Sequence, residues 1–259
     1  MNFFSKWRIK TRGKSRFLII CAARTGSTML RLMLDSHPDV CCHGEVFDKH
    51  VIRGFIGLNN RIESPLRHML LRIRSKDPVG FLDNYVFPPG PFSIVGAKIL
   101  YTSLEDPEWK SVFQRILSDH NIKIIHLTRE NKLKRFVSHY IAVRITNVKL
   151  AFTPDSIPAP VRVTLSPQEC IEDITAAENA EKRFCEYFKK HQVFEITYEQ
   201  VLDETSNKLI ELQKFLGVAP VELKKKTLKL NPDNLADIIM NYSELQEIFH
   251  GTRYEHYLI

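Results

Sequence analysis

The sequence predicts an α/β fold in three layers: a single domain in which a central parallel β-sheet is flanked by helices. Two observations lead to this fold class. Apolar runs of strand length alternate along the chain with amphipathic runs of helix length, which is typical of parallel sheets with crossover helices. The chain has 259 residues, of which 44% are hydrophobic and 26% charged, enough to bury a large core without disulfides or metals.

The first strand and the first helix follow directly from this patterning. Residues 17–21 form an uninterrupted apolar run that predicts a buried strand, and residues 27–36 carry apolar side chains at helical spacing. Further strands are predicted at residues 93–100, 123–127 and 193–196, and further helices at residues 108–118, 131–145, 166–190, 208–216 and 233–249. Two Pro-containing stretches, residues 53–91 and 150–167, fit no regular element and predict either substrate loops or flexible insertions.

Charge and cysteine content narrow the cellular setting and the kind of partner. The net charge of +7 favours an anionic partner: a nucleotide, a phosphorylated ligand, nucleic acid or a membrane surface. Residues 1–16 predict a basic flexible tail and residues 17–259 the folded domain. The five cysteines match neither a disulfide framework nor a zinc motif, which indicates a reducing cytoplasm. The longest apolar run, residues 17–23, is too short for a membrane span, so no integral membrane segment is expected.

The loop between the first strand and the first helix, Arg24-Thr-Gly-Ser-Thr28, predicts an anion site. A helix that begins directly after a strand presents free backbone N–H groups and the positive end of its dipole. Gly26 allows the backbone to approach a ligand closely. Thr25, Ser27 and Thr28 add hydroxyl donors, and Arg24 adds a fixed positive charge.

Two other function classes are compatible with a basic chain that carries such a loop. An ATP-dependent kinase would need the loop G-x-x-x-x-G-K-[ST] and an Asp for magnesium. The motif is absent, and the strand at residues 123–127 ends in Thr128 and Arg129 instead of an Asp. A binding module for nucleic acid or sulfated glycan would interleave aromatic residues with a basic stripe, and Lys224-Lys-Lys226 contains none.

The loop resembles the 5′-phosphosulfate loop of sulfotransferases that use 3′-phosphoadenosine 5′-phosphosulfate (PAPS). The resemblance is closest to bacterial carbohydrate-type members such as the nodulation-factor and trehalose sulfotransferases. Ala23 stands where the family often has Pro, and Arg24 where cytosolic animal members have Lys. Residues 124–140 resemble the second family motif, in which a strand-end Arg and a helical Ser, here Arg129 and Ser138, bind the 3′-phosphate. Weaker landmarks follow in the family's order, at residues 44–47, 95–98, 197–199, 215–217 and 241–252.

The resemblance implies a P-loop-like fold and transfer of a sulfuryl group from PAPS, the co-substrate, to a hydroxyl or amine. The acceptor would be a small molecule or a carbohydrate, and adenosine 3′,5′-bisphosphate would leave. No metal is required, and nucleic acid is not an expected partner. Arg24 and the N–H groups from Gly26 to Thr28 would stabilise the charge that grows on the leaving phosphate.

Three residues outside the two motifs are further candidates, one from the resemblance and two from their place in the chain, and the family often has another residue where this chain has Arg253. Glu45 is the implied general base, because family members place a catalytic Glu in this segment, and His43 and His37 are the alternatives. Lys98, near the end of a predicted strand, is expected to assist the sulfonate or the leaving oxygen, and Arg253 to close over the 3′-phosphate. The individual acceptor and the oligomeric state stay open at this stage.

Overall fold

The computed structural model describes residues 15–56, 65–88 and 91–259, and in this part of the chain one sheet of five parallel strands forms the centre. The strands are β1 (Ser15–Cys21), β2 (Val40–Glu45), β3 (Ile94–Leu100), β4 (Ile122–Thr128) and β5 (Val193–Thr197). Their order across the sheet is β2-β3-β1-β4-β5, so β1 lies in the middle with its apolar residues fully buried. The predicted three-layer α/β fold with a parallel sheet is confirmed.

Helices cover both faces of the sheet. They are α1 (Ser27–Leu34), α2 (Pro65–Lys76), α3 (Pro78–Phe81), α4 (Tyr101–Leu104), α5 (Lys110–Ser118), α6 (Lys132–Tyr140), α7 (Pro167–Phe188), α8 (Tyr198–Leu202), α9 (Lys208–Leu216) and α10 (Tyr242–Phe249). Because side chains alternate along a strand, Leu18 and Ile20 of β1 pack towards α5 and α7, whereas Phe17 and Ile19 pack towards α1 and α9. Helices α6, α7 and α10 enclose a third apolar cluster. None of the helices in the described residues is both long and apolar enough to cross a membrane.

Several boundaries differ from the prediction. The stretch 53–91 is not irregular throughout, because α2 and α3 lie within it, so this part of the prediction is wrong. The helix predicted at residues 131–145 ends at Tyr140 and continues as a π-helical turn, Ile141–Ile145. The helix predicted at 233–249 consists of a short 3-10 turn, Leu235–Asp237, and α10. Ser15 and Arg16, assigned to the basic tail, belong to β1, and the rest of that predicted tail lies outside the described residues.

Strand β2 was not predicted, and it is the element that brings Glu45 to the sheet. Its sequence, VCCHGE, has neither the alternation nor the continuous apolar run of a strand. It pairs with β3 along its length, and a register shift at Gly44 places His43 opposite Ala97 and Glu45 opposite Lys98. The irregularity turns the Glu45 side chain towards Lys98 at the carboxyl end of the sheet, where open α/β folds bind their ligands.

Candidate active site

Helix α1 follows the loop after β1, and no side chain caps its N-terminus. Gly26 occupies the N-cap position with φ +75°, makes no side-chain hydrogen bond to the helix, and no acidic residue lies in the first turn of α1. Arg24 also adopts a positive φ, 68°, so the chain turns sharply before the helix begins. The first N–H groups of a helix lack intrahelical acceptors and carry the positive end of the dipole. The structure therefore presents an anion-binding helix terminus at the predicted position.

Two constraints on Gly26 explain why the loop carries glycine there. Its φ of +75° lies in the left-handed region, which side chains disfavour. A Cβ at this position would also lie 2.4 Å from Cδ2 of Tyr198, so the ring leaves no room for one. Tyr198 lies at the corner between β5 and α8, and its ring packs against the loop at Gly26.

The three hydroxyls of the loop point in different directions. Thr25 is buried, and its hydroxyl donates to the carbonyl of Ala22 at 3.0 Å. Ser27 is buried as well and contacts the thiol of Cys21, so these two hydroxyls stabilise the loop from inside. Thr28 differs, because its hydroxyl accepts a hydrogen bond from the ammonium of Lys98 at 3.0 Å.

Glu45, Lys98 and Thr28 converge from β2, β3 and α1. The ammonium of Lys98 lies 2.6 Å from Oε1 of Glu45, and the two side chains are 4% and 23% exposed, respectively. An ammonium, a hydroxyl and a partly exposed carboxylate thus meet beside the first turn of α1. The structure brings together Glu45 and Lys98, two of the three residues for which the sequence predicts a role in the transfer step, and Glu45 keeps access to solvent.

The alternative bases, His43 and His37, are engaged in structural contacts. His43 is 2% exposed, its Nδ1 accepts from the backbone N–H of Ile56 at 3.0 Å, and its ring stacks on Phe55 at 4.4 Å. Burial lowers the pKa of His43 to about 3, so the ring stays neutral. His37 is also 2% exposed and uses both ring nitrogens: Nε2 lies 2.8 Å from the Ala219 carbonyl, and Nδ1 accepts from the N–H of Asp39. Glu45 is the better placed of the three candidates.

A second group of polar side chains lies on the other side of the loop. Nε of Arg24 donates to Oγ of Ser138 at 3.0 Å, and Nη1 donates to the Lys149 carbonyl at 2.7 Å. Arg129 follows β4, and its Nη1 lies 3.4 Å from the carbonyl of Arg24. Arg24 therefore lies with Arg129 and Ser138, the predicted 3′-phosphate residues, whereas Lys98 is the cation beside Thr28.

Arg129 is a largely buried cation whose Nε has no hydrogen-bond partner among the described residues. Its guanidinium stacks over the ring of Tyr198 at 4.7 Å. The carboxylate of Glu199 approaches Nε only to 3.9 Å. Burial lowers the pKa of both Arg129 and Arg24, and the charge of Arg129 lowers that of Arg24 further. Two guanidinium groups in this environment are stabilised by an anion that accepts from both.

Two basic residues of α6 support this site, and no sequence pattern identified them. Lys132 donates to the backbone carbonyl of Arg129 at 2.5 Å and to Glu181 of α7 at 2.7 Å. Arg135 pairs with Asp173 of α7, and its Nη1 lies 3.4 Å from the carbonyl of Ala23. On an amphipathic helix such basic residues are normally read as solvent-facing. Their partners are on α7, which is distant in sequence.

Arg253 lies apart from these groups. Its Nη1 is 3.0 Å from Oε2 of Glu178 on α7, and its guanidinium also contacts Thr175 and the ring of Tyr254. The side chain is 54% exposed. Its described contacts are thus with the outer side of α7 and not with the loop or with Arg129.

Comparisons with known proteins agree with this geometry. The sulfotransferase domain family matches residues 14–247. Nodulation protein H of Rhizobium tropici is 26% identical over 245 residues, which covers 92% of this chain and 90% of that protein. Nodulation protein H of Rhizobium meliloti (strain 1021) is 24% identical over 235 residues, 90% of each chain.

A solved structure supports the fold independently. The crystal structure of a sulfotransferase from Alicyclobacillus acidocaldarius matches with a TM-score of 0.50 at 18% identity, and the match covers 95% of this chain and 99% of that one. Since the family domain spans most of the sequence, and the P-loop-like fold is shared, the predicted resemblance is confirmed: the chain belongs to the sulfotransferase family.

Proposed function

We propose that this sulfotransferase transfers the sulfuryl group of PAPS to a hydroxyl or amine of a small-molecule or carbohydrate acceptor. Adenosine 3′,5′-bisphosphate is the second product. Members of the family generally use PAPS as donor, and the resemblance of the two motifs to carbohydrate-type members favours a small or carbohydrate acceptor. The reaction fits a cytoplasmic enzyme, because none of the five cysteines, all in the described residues, forms a disulfide.

One observation carries the proposal: two anion-binding groups flank the same loop. The uncapped N-terminus of α1 and Lys98 form one group, and Arg24, Arg129 and Ser138 form the other. PAPS has an anionic phosphosulfate at its 5′ end and a phosphate at its 3′ position, so it supplies one anion to each group. The buried Nε of Arg129, which has no hydrogen-bond partner in the described part of the chain, fits such an occupant.

The residues beside the loop supply what an in-line transfer needs. Glu45 is the general base: its carboxylate takes the proton of the acceptor hydroxyl while the oxygen attacks sulfur. Lys98, hydrogen-bonded to both Glu45 and Thr28, is placed to neutralise charge on the transferring sulfonate and the bridging oxygen. The S–O bond to the 5′-phosphate breaks, its electron pair stays on the oxygen of the leaving phosphate, and the N–H groups at the start of α1 stabilise that negative charge. Every group in this scheme belongs to the chain or to the two substrates.

Nucleotide-dependent thermal stability tests the donor half of the proposal. We expect adenosine 3′,5′-bisphosphate to raise the Tm strongly, because it binds the folded state alone. Adenosine 5′-phosphate should raise the Tm less, and ATP with magnesium or an oligonucleotide should have little effect. Preferential stabilisation by ATP with magnesium would indicate a kinase, and by the oligonucleotide a nucleic-acid-binding module.

The acceptor half is tested by mass spectrometry of reactions that contain PAPS and panels of sugars, phenols and amines. A product that gains the mass of one sulfonate group, together with release of adenosine 3′,5′-bisphosphate, supports the proposal. Release of the nucleotide at the same rate without any acceptor would contradict a base that activates the acceptor.

A further inference from the structure

A second cluster of chemically active side chains lies away from the nucleotide loop, where α7 packs against β4 and the edge strand β5. Cys185 of α7, His126 of β4 and Glu195 of β5 turn their donor atoms towards one another. Sγ of Cys185 lies 3.7 Å from Nδ1 of His126 and 3.9 Å from Oε1 of Glu195, and Nδ1 of His126 lies 2.7 Å from Oε2 of Glu195. The proposed transfer reaction uses none of the three.

The imidazole of His126 is fixed by its surroundings. His126 is 3% exposed, and its Nε2 lies 2.5 Å from the hydroxyl of Tyr101, which follows β3. Nδ1 therefore faces Cys185 and Glu195. Histidine ligands of metal ions typically use one ring nitrogen for the ion and hold the other in a hydrogen bond that fixes the orientation of the ring. His126 has this arrangement.

The cluster opens into a cavity of about 360 Å³ whose wall carries a second imidazole. His191 lines the cavity and is 9% exposed. Its Nε2 donates to the Ile116 carbonyl at 3.1 Å, and its Nδ1 is buried without a hydrogen-bond partner among the described residues. His191 thus adds a further polar residue to the wall of the cavity.

The donor set distinguishes between the possible roles of the cluster. The Cys185 thiol is exposed and lines the cavity, so an ion can reach it from solvent. A thiol, an imidazole and a carboxylate together match the borderline-soft ions, whereas magnesium and calcium prefer oxygen ligands alone.

We propose that Cys185, His126 and Glu195 form a binding site for a zinc-type divalent cation, with a fourth position left for water. The separations of Sγ from the other two donors suit ligands around a tetrahedral ion with bonds of about 2.0–2.3 Å. On binding, the Cys185 thiol releases its proton to solvent, and His126 gives up the Nδ1 proton that it donates to Glu195 and takes a proton at Nε2, towards Tyr101, so that the Nδ1 lone pair coordinates the ion. The ion replaces the short contact between His126 and Glu195, whose 57% exposed side chain has room to move.

Such an ion would cross-link α7 to two strands of the sheet. The sequence predicts no zinc motif because the three ligands lie at positions 126, 185 and 195, far from the close spacing of motif-based sites. Only the packing of α7 on β4 and β5 brings them together. The site concerns cation binding and not sulfuryl transfer, so its test is independent of the proposed function.

Cobalt and zinc binding to the full chain test the site. The protein is freed of any histidine tag, reduced with a phosphine, and titrated with Co²⁺ in the absence of nucleotide. We expect one Co²⁺ per chain with the near-ultraviolet sulfur-to-cobalt charge-transfer band of a thiolate ligand. Zn²⁺ should displace it, bind with micromolar or tighter affinity against a chromophoric chelator, and raise the Tm.

Three variants separate this site from adventitious binding. Cys185→Ser should abolish the charge-transfer band, and Glu195→Gln should weaken Zn²⁺ binding by at least about tenfold. His250→Asn is the matched control, because His250 and Glu255 form an exposed pair at 2.9 Å, and it should change nothing. Stoichiometric Co²⁺ binding without the thiolate band in the unmodified chain would overturn the proposal, whether or not the variants fold. Zn²⁺ affinity that is the same in Cys185→Ser, or no binding at all, would also overturn it.

Discussion

At the Glu45 end of the site, the Lys98 ammonium lies 2.6 Å from a carboxylate, whereas at the Ser138 end Arg24 donates to a hydroxyl and a carbonyl. The nearest described carboxylate to Arg129, that of Glu199, is 3.9 Å away. The Glu45 end thus balances its charges within the protein. The Ser138 end carries two cations that hydrogen-bond mainly to neutral groups.

This difference indicates that, in the proposed site, the Ser138 end mainly binds the nucleotide and the Glu45 end mainly acts in the transfer step. A guanidinium stays protonated at any physiological pH, so the lowered pKa of Arg24 and Arg129 reports an environment that disfavours positive charge. The negative charge of a bound phosphate would compensate the positive charges of Arg24 and Arg129, which favours tight nucleotide binding at this end. At the other end, an ammonium that already has a partner gains less from ground-state binding, so we expect Lys98 to act mainly in the transition state, when charge shifts onto the sulfonate.

Glu45→Gln tests the role of the Glu45 end in the transfer step and should have the largest effect. Glutamine keeps the shape and still accepts a hydrogen bond from Lys98, but it cannot take up the acceptor proton. We expect kcat to fall by roughly 10²–10⁴ while the affinity for adenosine 3′,5′-bisphosphate and the Tm change little. Steady-state kinetics and nucleotide titration check this. Glu199→Gln, the same change at the other end, is the control and should leave kcat within a few-fold. Normal turnover in Glu45→Gln would remove Glu45 from the base role.

Lys98→Met tests whether the ion pair is catalytic or merely structural. We expect kcat to fall by about 10²–10³, the typical loss when a donor to developing charge is removed. The variant should also lose up to about 3 kcal/mol of unfolding free energy, since it leaves Glu45 without its partner, and the partial exposure of Glu45 limits the cost. The double variant Lys98→Met/Glu45→Gln should recover stability in denaturant melts but not turnover. Recovery of both would show that the pair acts only on the fold.

Arg129→Ala tests the unpaired end. Loss of a charge-assisted contact costs about 1.5–3 kcal/mol, so adenosine 3′,5′-bisphosphate should bind roughly 10–150-fold more weakly. Adenosine 5′-phosphate, which lacks the 3′ group, should be affected far less. Arg183→Ala removes an exposed arginine that pairs with Glu105 and serves as the control. Equal losses for both nucleotides in calorimetry would show that Arg129 does not recognise the 3′-phosphate.

Arg24 lies at the Ser138 end in the structure, whereas the resemblance assigns it to the leaving 5′-phosphate, so lysine and alanine substitutions should separate its charge from its geometry. Arg24→Lys keeps the charge but cannot span Ser138 and the Lys149 carbonyl, and we expect kcat to fall about 3–10-fold, the cost of one neutral hydrogen bond. Arg24→Ala should lower kcat further, and more than it weakens the nucleotide, if the charge acts on the leaving phosphate. A loss in the alanine variant confined to nucleotide affinity would assign Arg24 to the Ser138 end alone.

The fold was predictable from sequence where the residues of an element itself carry the signal for its structure. Residues 17–21 of β1 are an uninterrupted apolar run, and the N-cap of α7 is Ser166, whose side chain accepts from the N–H of Glu169 as its capping sequence indicates. Strand β2 is different. Its VCCHGE sequence is stabilised by pairing with β3, and its buried His43 is satisfied by the N–H of Ile56, a contact across a turn that no periodicity reveals.

The site follows the same rule. The loop from Arg24 to Thr28 could be predicted as an anion site because its glycine, its backbone turn and the start of α1 lie within five consecutive residues. The partners of its side chains are not local. Lys98 meets Glu45 only through the register shift at Gly44, and Lys132 reaches the carbonyl of Arg129 while paired with Glu181 of α7. Sequence patterns name candidate groups, and long-range packing decides which of them act together.

Arg253→Ala should have the smallest effect and tests the remaining predicted nucleotide contact. Its guanidinium pairs with Glu178, and surface ion pairs of this kind contribute about 0–1 kcal/mol. To reach a 3′-phosphate, Arg253 would have to leave this pair and its contacts with Thr175 and Tyr254. We therefore expect the affinity for adenosine 3′,5′-bisphosphate to stay within about twofold of the unmodified chain, measured in the same titrations as Arg129→Ala. A loss as large as that of Arg129→Ala, absent with adenosine 5′-phosphate, would show that residues 251–254 close over the nucleotide and would add a third guanidinium to the Ser138 end.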